Sequence, residues 1–138
     1  MSQHIGALTL LVADYDQAIR FFTEGLGFAL LEDTRLDEPG KPGKRWVRVA
    51  PKGAPGSALL LAQAANGQQQ AAFGQQGGGR VFLFLETNDF WGDYQRMQAY
   101  GVQFCEQPRD EPYGTVVVFE DISGNRWDLL QRTAANQI

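Results

Sequence analysis

Two residue types are almost missing from this chain: its 138 residues include one histidine, His4, and one cysteine, Cys105. One cysteine cannot close an intrachain disulfide, so the fold must rest on its core and asks for no oxidising compartment. One histidine excludes, within a single chain, a two-histidine-one-carboxylate iron site and the three-histidine set of a catalytic zinc. A serine triad would have to rely on His4 near the start of the chain, and no Gly-x-Ser-x-Gly turn accompanies it. Basic charge is also short. Twelve Lys and Arg face 16 Asp and Glu, a net charge of −4, the wrong sign for a surface that tracks phosphates, so no nucleic-acid partner is expected. Apolar runs such as Val81-Phe82-Leu83-Phe84-Leu85 fall far short of the ~20 residues that cross a bilayer, so no membrane partner is expected either. With no basic segment leading into an apolar stretch at the start, the expected location is the cytoplasm.

What the chain does contain is 43% apolar and 20% charged residues, ordinary for one soluble domain long enough to bury a core. Its halves read as one unit written twice. Residues 7–13 form an aliphatic strand candidate, and Asp14-Tyr15-Asp16-Gln17 is an acidic cap that starts a helix near Tyr15. Ala18, Ile19, Phe22 and Leu26 give that helix an apolar stripe, and Gly27 ends it. The second half repeats the plan with a strand at 81–85, a cap at Asn88 or Asp89, a stripe of Phe90, Trp91, Tyr94 and Met97, and a stop at Gly101. Short strand candidates follow each helix: 28–32, 45–50 and 57–62, then 102–106, 115–120 and 126–131. Residues 56–60 align with 124–128 at a constant offset. The expected fold is therefore α+β, two βαβββ modules at about 4–63 and 80–132, each helix covering one face of a mixed sheet. Two segments have no period, 36–44 and 63–79, and read as loops or lids; 64–79 is the expected connector.

Leu11-Val12-Ala13-Asp14, Leu26-Gly27-Phe28, Tyr113-Gly114, and Phe119-Glu120-Asp121-Ile122-Ser123-Gly124-Asn125 with Asp128-Leu129 together resemble the vicinal oxygen chelate superfamily. That superfamily includes glyoxalase I, bleomycin-resistance proteins, fosfomycin-resistance enzymes and extradiol dioxygenases. The resemblance implies curved sheets around a cleft and, commonly, a homodimer. In metal-dependent members the ligands stand in the first and last strand of each module, and carried onto this sequence those positions are Ala7, Leu60, Arg80 and Asp128. Only Asp128 offers a donor, since Ala7 and Leu60 have none and Arg80 is a fixed cation. No metal and no cofactor are expected. His4 lies an odd step from Ala7, hence on the opposite face of an extended strand.

Arg80 and Asp128 are accordingly expected to meet on the concave face, the guanidinium taking the metal's place and holding either Asp128 or an anionic ligand group. Phe82 and Phe84 share parity with Arg80 and would wall the cleft with Trp46, while the Tyr113 hydroxyl would close its mouth. Trp127 has core parity, Glu120-Asp121 reads as a structural turn, and Cys105 as a buried inert thiol. These six residues, Arg80, Asp128, Phe82, Phe84, Trp46 and Tyr113, point to a metal-free homodimer that binds a small organic molecule, cationic or amphipathic given the protein's acidity. The alternative is a superfamily lyase, isomerase or dioxygenase, using a divalent metal or acid-base chemistry of Asp128, Tyr113 and Arg80. A purely interacting domain is the third reading.

Overall fold

The computed structural model describes residues 1–53 and 56–134, and the chain separates into two compact units, Met1–Ala72 and Phe73–Ile138. In the first unit β1 (Ala7–Val12) leads to Asp14, whose carboxylate accepts the Gln17 N–H at 2.8 Å and starts α1 (Tyr15–Arg20). The helix does not continue to Leu26 in α geometry. Over Phe21–Gly25 it widens to a π-turn, with Leu26 N–H donating to Phe21 O at 3.1 Å and the Thr23 hydroxyl bonding back to Ile19 O at 2.7 Å. Gly27, at φ +76°, then reverses the chain where a side chain would be strained. β2 (Ala29–Arg35), β3 (Arg45–Ala50) and β4 (Ala58–Gln63) complete a four-stranded curved sheet in the order β1-β4-β3-β2, parallel only between β1 and β4. Leu10, Val12, Val47, Val49 and Leu61 turn to the helix side and are fully buried with Phe22 and Ala18, as strand alternation requires of a sheet covered on one face.

The segment 64–79 is not featureless. Asn66 caps a short helix, α2 (Gly67–Ala71), by accepting the Gln69 N–H at 2.9 Å, while Gln69 Oε1 reaches back to Ala65 N–H at 2.7 Å. This is a reciprocal cap that the Gln- and Gly-rich composition conceals. Beyond α2, Gln76 N–H donates to Asn125 Oδ1 at 3.3 Å, so this stretch packs onto the second unit's own turn.

The second unit repeats the first. β5 (Val81–Glu86) precedes α3 (Phe90–Tyr100), which Asp89 caps through the Gly92 N–H and Gly101 ends at φ +103°. The strand expected at 102–106 is shorter, β6 (Gln103–Phe104), and a further short strand that was not expected, β7 (Arg109–Glu111), follows it; both pair with β8 (Gly114–Glu120). Pro108 stands in the gap and has no N–H to give a ladder. With β9 (Arg126–Arg132) the five-stranded sheet has the order β5-β9-β8-β6, again parallel only between its first pair. One detail is duplicated atom for atom: Gln63 Oε1 accepts the Tyr15 N–H at 3.3 Å, and Gln131 Oε1 accepts the Phe90 N–H at 2.9 Å. Each final strand thus satisfies an orphan donor at the start of its unit's helix. Among the described residues no helix is long and apolar enough to cross a membrane.

Candidate functional site

Strand register sorts the second unit's side chains onto two faces. Leu83, Trp127 and Phe119 pair in one row, and the rings of Tyr94, Phe104, Phe119 and Trp127 run in contact at centroid distances of 4.7–6.3 Å. That face lies under α3, and Trp127, 3% exposed, belongs to the core as its parity predicts. One residue on, Phe84, Asp128 and Val118 pair in the next row and point to the opposite, open face. Asp128 Oδ1 is buried there and accepts no hydrogen bond. Burial pushes the Asp128 carboxyl above its ordinary value, with the Arg109 charge lowering it and the Glu106 charge raising it again.

The cation beside Asp128 is therefore Arg109. It pairs in register with Val116, two residues from Val118, so it stands on the same face. Its Nε donates to both Glu106 oxygens at 3.0 and 3.1 Å and its Nη1 to Glu111 Oε1 at 2.9 Å. Hydrogen bonding to Glu106, Glu111 and the Tyr113 side chain holds its pKa above the usual guanidinium value. Glu106 Oε2 also takes the Val118 N–H at 2.9 Å, which ties the cluster to the central strand. Sequence reading missed Arg109 because it follows Pro108, outside any run whose alternation assigns a face, and missed Glu106 because it is the last residue of the strand expected at 102–106, which in fact ends at Phe104. The spacing Glu106, Arg109, Glu111 was the available signal.

Arg80 does not make the expected pair. It lies before β5 begins, is exposed, and no ion pair joins it to Asp128 among the described residues. The reason is register. Thr9 pairs with Leu60 as Phe84 pairs with Asp128, and both helices are capped by an Asp, Asp14 and Asp89. Counting seven back from each cap makes Phe82, not Arg80, the counterpart of Ala7. Phe82 sits at an irregularity between Val81 and Leu83, half-buried, and a Cβ on Gly77 would come within 3.1 Å of its Cβ. Phe84 is 57% exposed and Tyr113 38% exposed; the first stands beside Asp128, and the second reaches it only through Arg109.

Trp46 belongs to the first unit's open face, in the strand that also carries Arg48. Its Nε1 donates to Glu32 Oε1 at 3.1 Å, and Arg48 Nε donates to the same oxygen at 2.6 Å. Arg48 chiefly, and Trp46 with it, hold the Glu32 carboxyl below its ordinary value. Leu60 is in register with Arg48 and Thr9, so Ala7 and Leu60 do share this face. The four inherited ligand positions, read from register, are then Ala7, Leu60, Phe82 and Asp128, and a single carboxylate does not fit a chelated divalent ion. No group of three His, Cys, Asp or Glu side chains among the described residues is placed to hold one.

A cavity of about 510 Å³ lies elsewhere in the first unit, lined by Tyr15, Asp16, Asp33, Arg45 and Gln63 among others. Its polar groups satisfy one another. Arg45 donates to Asp16 at 2.9 Å and to Asp33 at 2.7 and 3.1 Å, and lies 5.0 Å over the Tyr15 ring. Asp121 is likewise structural, as expected: buried, it accepts from Ser123 N, Asn125 N, Asn125 Nδ2 and Trp127 Nε1 at 2.9–3.2 Å. Burial raises its pKa despite these donors. Cys105 is exposed rather than buried, since β6 ends at Phe104; partial burial and the charges of Glu120 and Glu106 push its thiol pKa up.

Residues 4–129 match the Glyoxalase/Bleomycin resistance protein/Dioxygenase superfamily, and the chain belongs to it. It is 53% identical to an uncharacterized protein of Shewanella frigidimarina over 95% of each chain. It is 32% identical to the uncharacterized protein YetH of Bacillus subtilis, over 91% of this chain and 95% of that one. Among solved structures, UcmS2 superposes with a TM-score of 0.77 at 28% identity, covering 94% of this chain and 98% of that one. TnmS3, an antibiotic binding protein from Streptomyces sp. CB03234, superposes with a TM-score of 0.72 at 29% identity, covering 96% and 98%.

Proposed function

We propose that this protein is a metal-independent binding protein for a small organic molecule, which it takes on the open face that carries Asp128 and Phe84; Trp46 gives the first unit's open face an aromatic platform of its own. One observation carries the reading. Asp128 places a carboxylate on the open face, its Oδ1 buried without a hydrogen bond, beside the exposed Phe84 ring, and a charged group next to apolar surface is what a small ligand recognises. TnmS3, alike in fold at 29% identity, is an antibiotic binding protein, which supports the same class of ligand. Three inherited ligand positions without donors support independence from metal. The reading includes a cytoplasmic homodimer with neither nucleic acid nor membrane as partner. β1 and β5 are sheet edges, and a second copy would cover such edges.

The test is a calorimetric survey of small organic compounds on chelator-treated protein, repeated with first-row divalent metals added. Saturable binding that metals leave unchanged is the expected result. One tightly held metal per chain, with Asp128 in its shell, would overturn the metal-free reading.

A further inference from the structure

We infer that the open face of the second unit selects organic cations: a ligand whose positively charged nitrogen lies against Asp128 and whose aromatic or amphipathic frame lies on Phe84. This rests on the proposal that the face binds a small molecule, and it adds the ligand's charge and the groups that read it.

Three observations lead there. Asp128 is flanked in its own row by Phe84 and Val118, so no side chain of that row neutralises it. Its Oδ1 is buried and accepts no hydrogen bond, so the carboxylate's charge is offset only through the field of Arg109, and a cation lying on the open face adds an attraction that a neutral ligand lacks. The neighbouring guanidinium cannot serve as that partner without cost, because Arg109 is held by Glu106, Glu111 and Tyr113.

Charge on the whole face has the same sign. Row by row it carries Glu120 opposite Arg126, then Asp128, then Glu86 bonded to Arg132 at 2.6 Å, with Arg109 between Glu106 and Glu111. Five carboxylates meet three guanidiniums, an excess of two negative charges, and Asp128 Oδ1 is buried without a hydrogen bond among them. An anion brought here would face that excess and find its one nearby cation already engaged. A cation gains twice, from the carboxylate and from the exposed face of the Phe84 ring, whose quadrupole attracts positive charge. The residues that set the selectivity are thus Asp128 and Phe84, while Arg109 is a positioning residue, kept off Asp128 by its two glutamates.

Three planar fluorescent probes of matched frame separate the possibilities: 9-aminoacridine, a cation at neutral pH, 9-anthracenemethanol, neutral, and 9-anthracenecarboxylate, an anion. Each is titrated into the full chain at pH 7 and low salt. The cation should bind at least about tenfold more tightly than the anion, the scale of one charge-assisted hydrogen bond. Asp128→Asn should bring the cation to the affinity of the neutral probe and leave the neutral probe unchanged. Phe84→Leu, at an exposed position, should weaken the cation about threefold by removing the ring and not the charge. Equal binding of all three probes, or a cation affinity that Asp128→Asn does not change, overturns the cation inference and leaves the small-molecule reading standing. No saturable binding by any probe overturns the inference, and failure of the wider compound survey as well would remove the reading beneath it.

Discussion

Asp128→Asn should make the protein more stable at neutral pH, which is the reverse of what a buried ion pair would do. The wild-type carboxylate leaves a buried oxygen without a hydrogen bond, and a buried unsatisfied acceptor costs ~1–3 kcal/mol, more when charged. Asparagine is isosteric and keeps a carbonyl oxygen there, so the neutral part of that cost remains and only the charge is relieved. Asp128 is half-buried and Arg109 returns some of the cost through its field. The expected gain is therefore about 1 kcal/mol, read as a shift of about 0.5 M in the urea midpoint with an unchanged slope. Its pH dependence has a definite sign. Burial raises the folded Asp128 pKa above the unfolded value near 3.8, so between those two values the folded state holds more protons than the unfolded one. Wild-type stability then rises relative to the variant as the pH falls through the raised pKa, and the difference vanishes below 3.8, where the group is neutral in both states. Urea unfolding of both proteins at pH 7, 5 and 3.5 gives all of this. A wild type more stable than Asp128→Asn by about 2 kcal/mol or more at pH 7 would mean that a cation does hold Asp128, and the argument would be refuted.

Asp121→Ala should cost about 3 kcal/mol in urea unfolding, since it strands donors on Asn125 and Trp127, which are 1% and 3% exposed; a cost below about 1 kcal/mol would show that the turn holds without its acceptor. Gly114→Ala should lower the melting temperature by several degrees, because the new Cβ would collide with the Gln131 carbonyl and come within 2.9 Å of Arg132 Cα, forcing β8 from β9. Trp46→Ala, at a side chain 39% exposed, should change stability by no more than about 1 kcal/mol while weakening any ligand that stacks on the first unit's face, a split that calorimetry and urea unfolding on the same variant would read. Light scattering should give a particle of twice 15.3 kDa at micromolar concentration, and a 15.3 kDa particle would remove the homodimer from the proposal.

The duplicated topology was legible because it rests on local signals that occur twice: an Asp cap, an aromatic or aliphatic stripe, and a glycine at φ +76° or +103° after each helix. Core assignments followed where strands alternate cleanly, as Trp127 against Asp128 shows. What failed was everything that depended on where a count starts. Arg80 was placed two residues from the true counterpart position, Phe82, because landmarks counted along the chain do not reveal how β5 pairs with β9 across the irregularity between Val81 and Leu83. Register is fixed by pairing across strands, which no single run of residues displays. Arg109 stayed out of sight for a related reason: Pro108 breaks the strand, and a two- or three-residue strand has too little alternation to reveal its face. Asn66 and α2 were hidden by composition, since a tract of Gln, Gly and Ala reads as linker until its cap is noticed.

The two units also allow a comparison that a single module would not. Leu60 and Asp128 are equivalent, each in the last strand and each paired with the first strand of its unit, at Thr9 and Phe84. Beside Leu60 the open-face charges are closed against one another, Arg48 Nε donating to Glu32 at 2.6 Å with Trp46 on the same oxygen. Beside Asp128 they are also closed, Arg109 with Glu106 and Glu111, but Asp128 itself is left over. An apolar side chain at that position is physically workable, as Leu60 demonstrates in the same fold, and replacing an unmatched buried carboxylate by one stabilises rather than harms. By this argument the carboxylate at 128 is expected to give the fold nothing that a leucine would not. On the proposed reading a group that lowers stability where the sister unit carries an inexpensive alternative acts on a molecule outside the chain, and that is the ground on which the open face of the second unit, rather than the first unit's cavity around Arg45, whose polar groups pair with one another, is the surface to test for ligands.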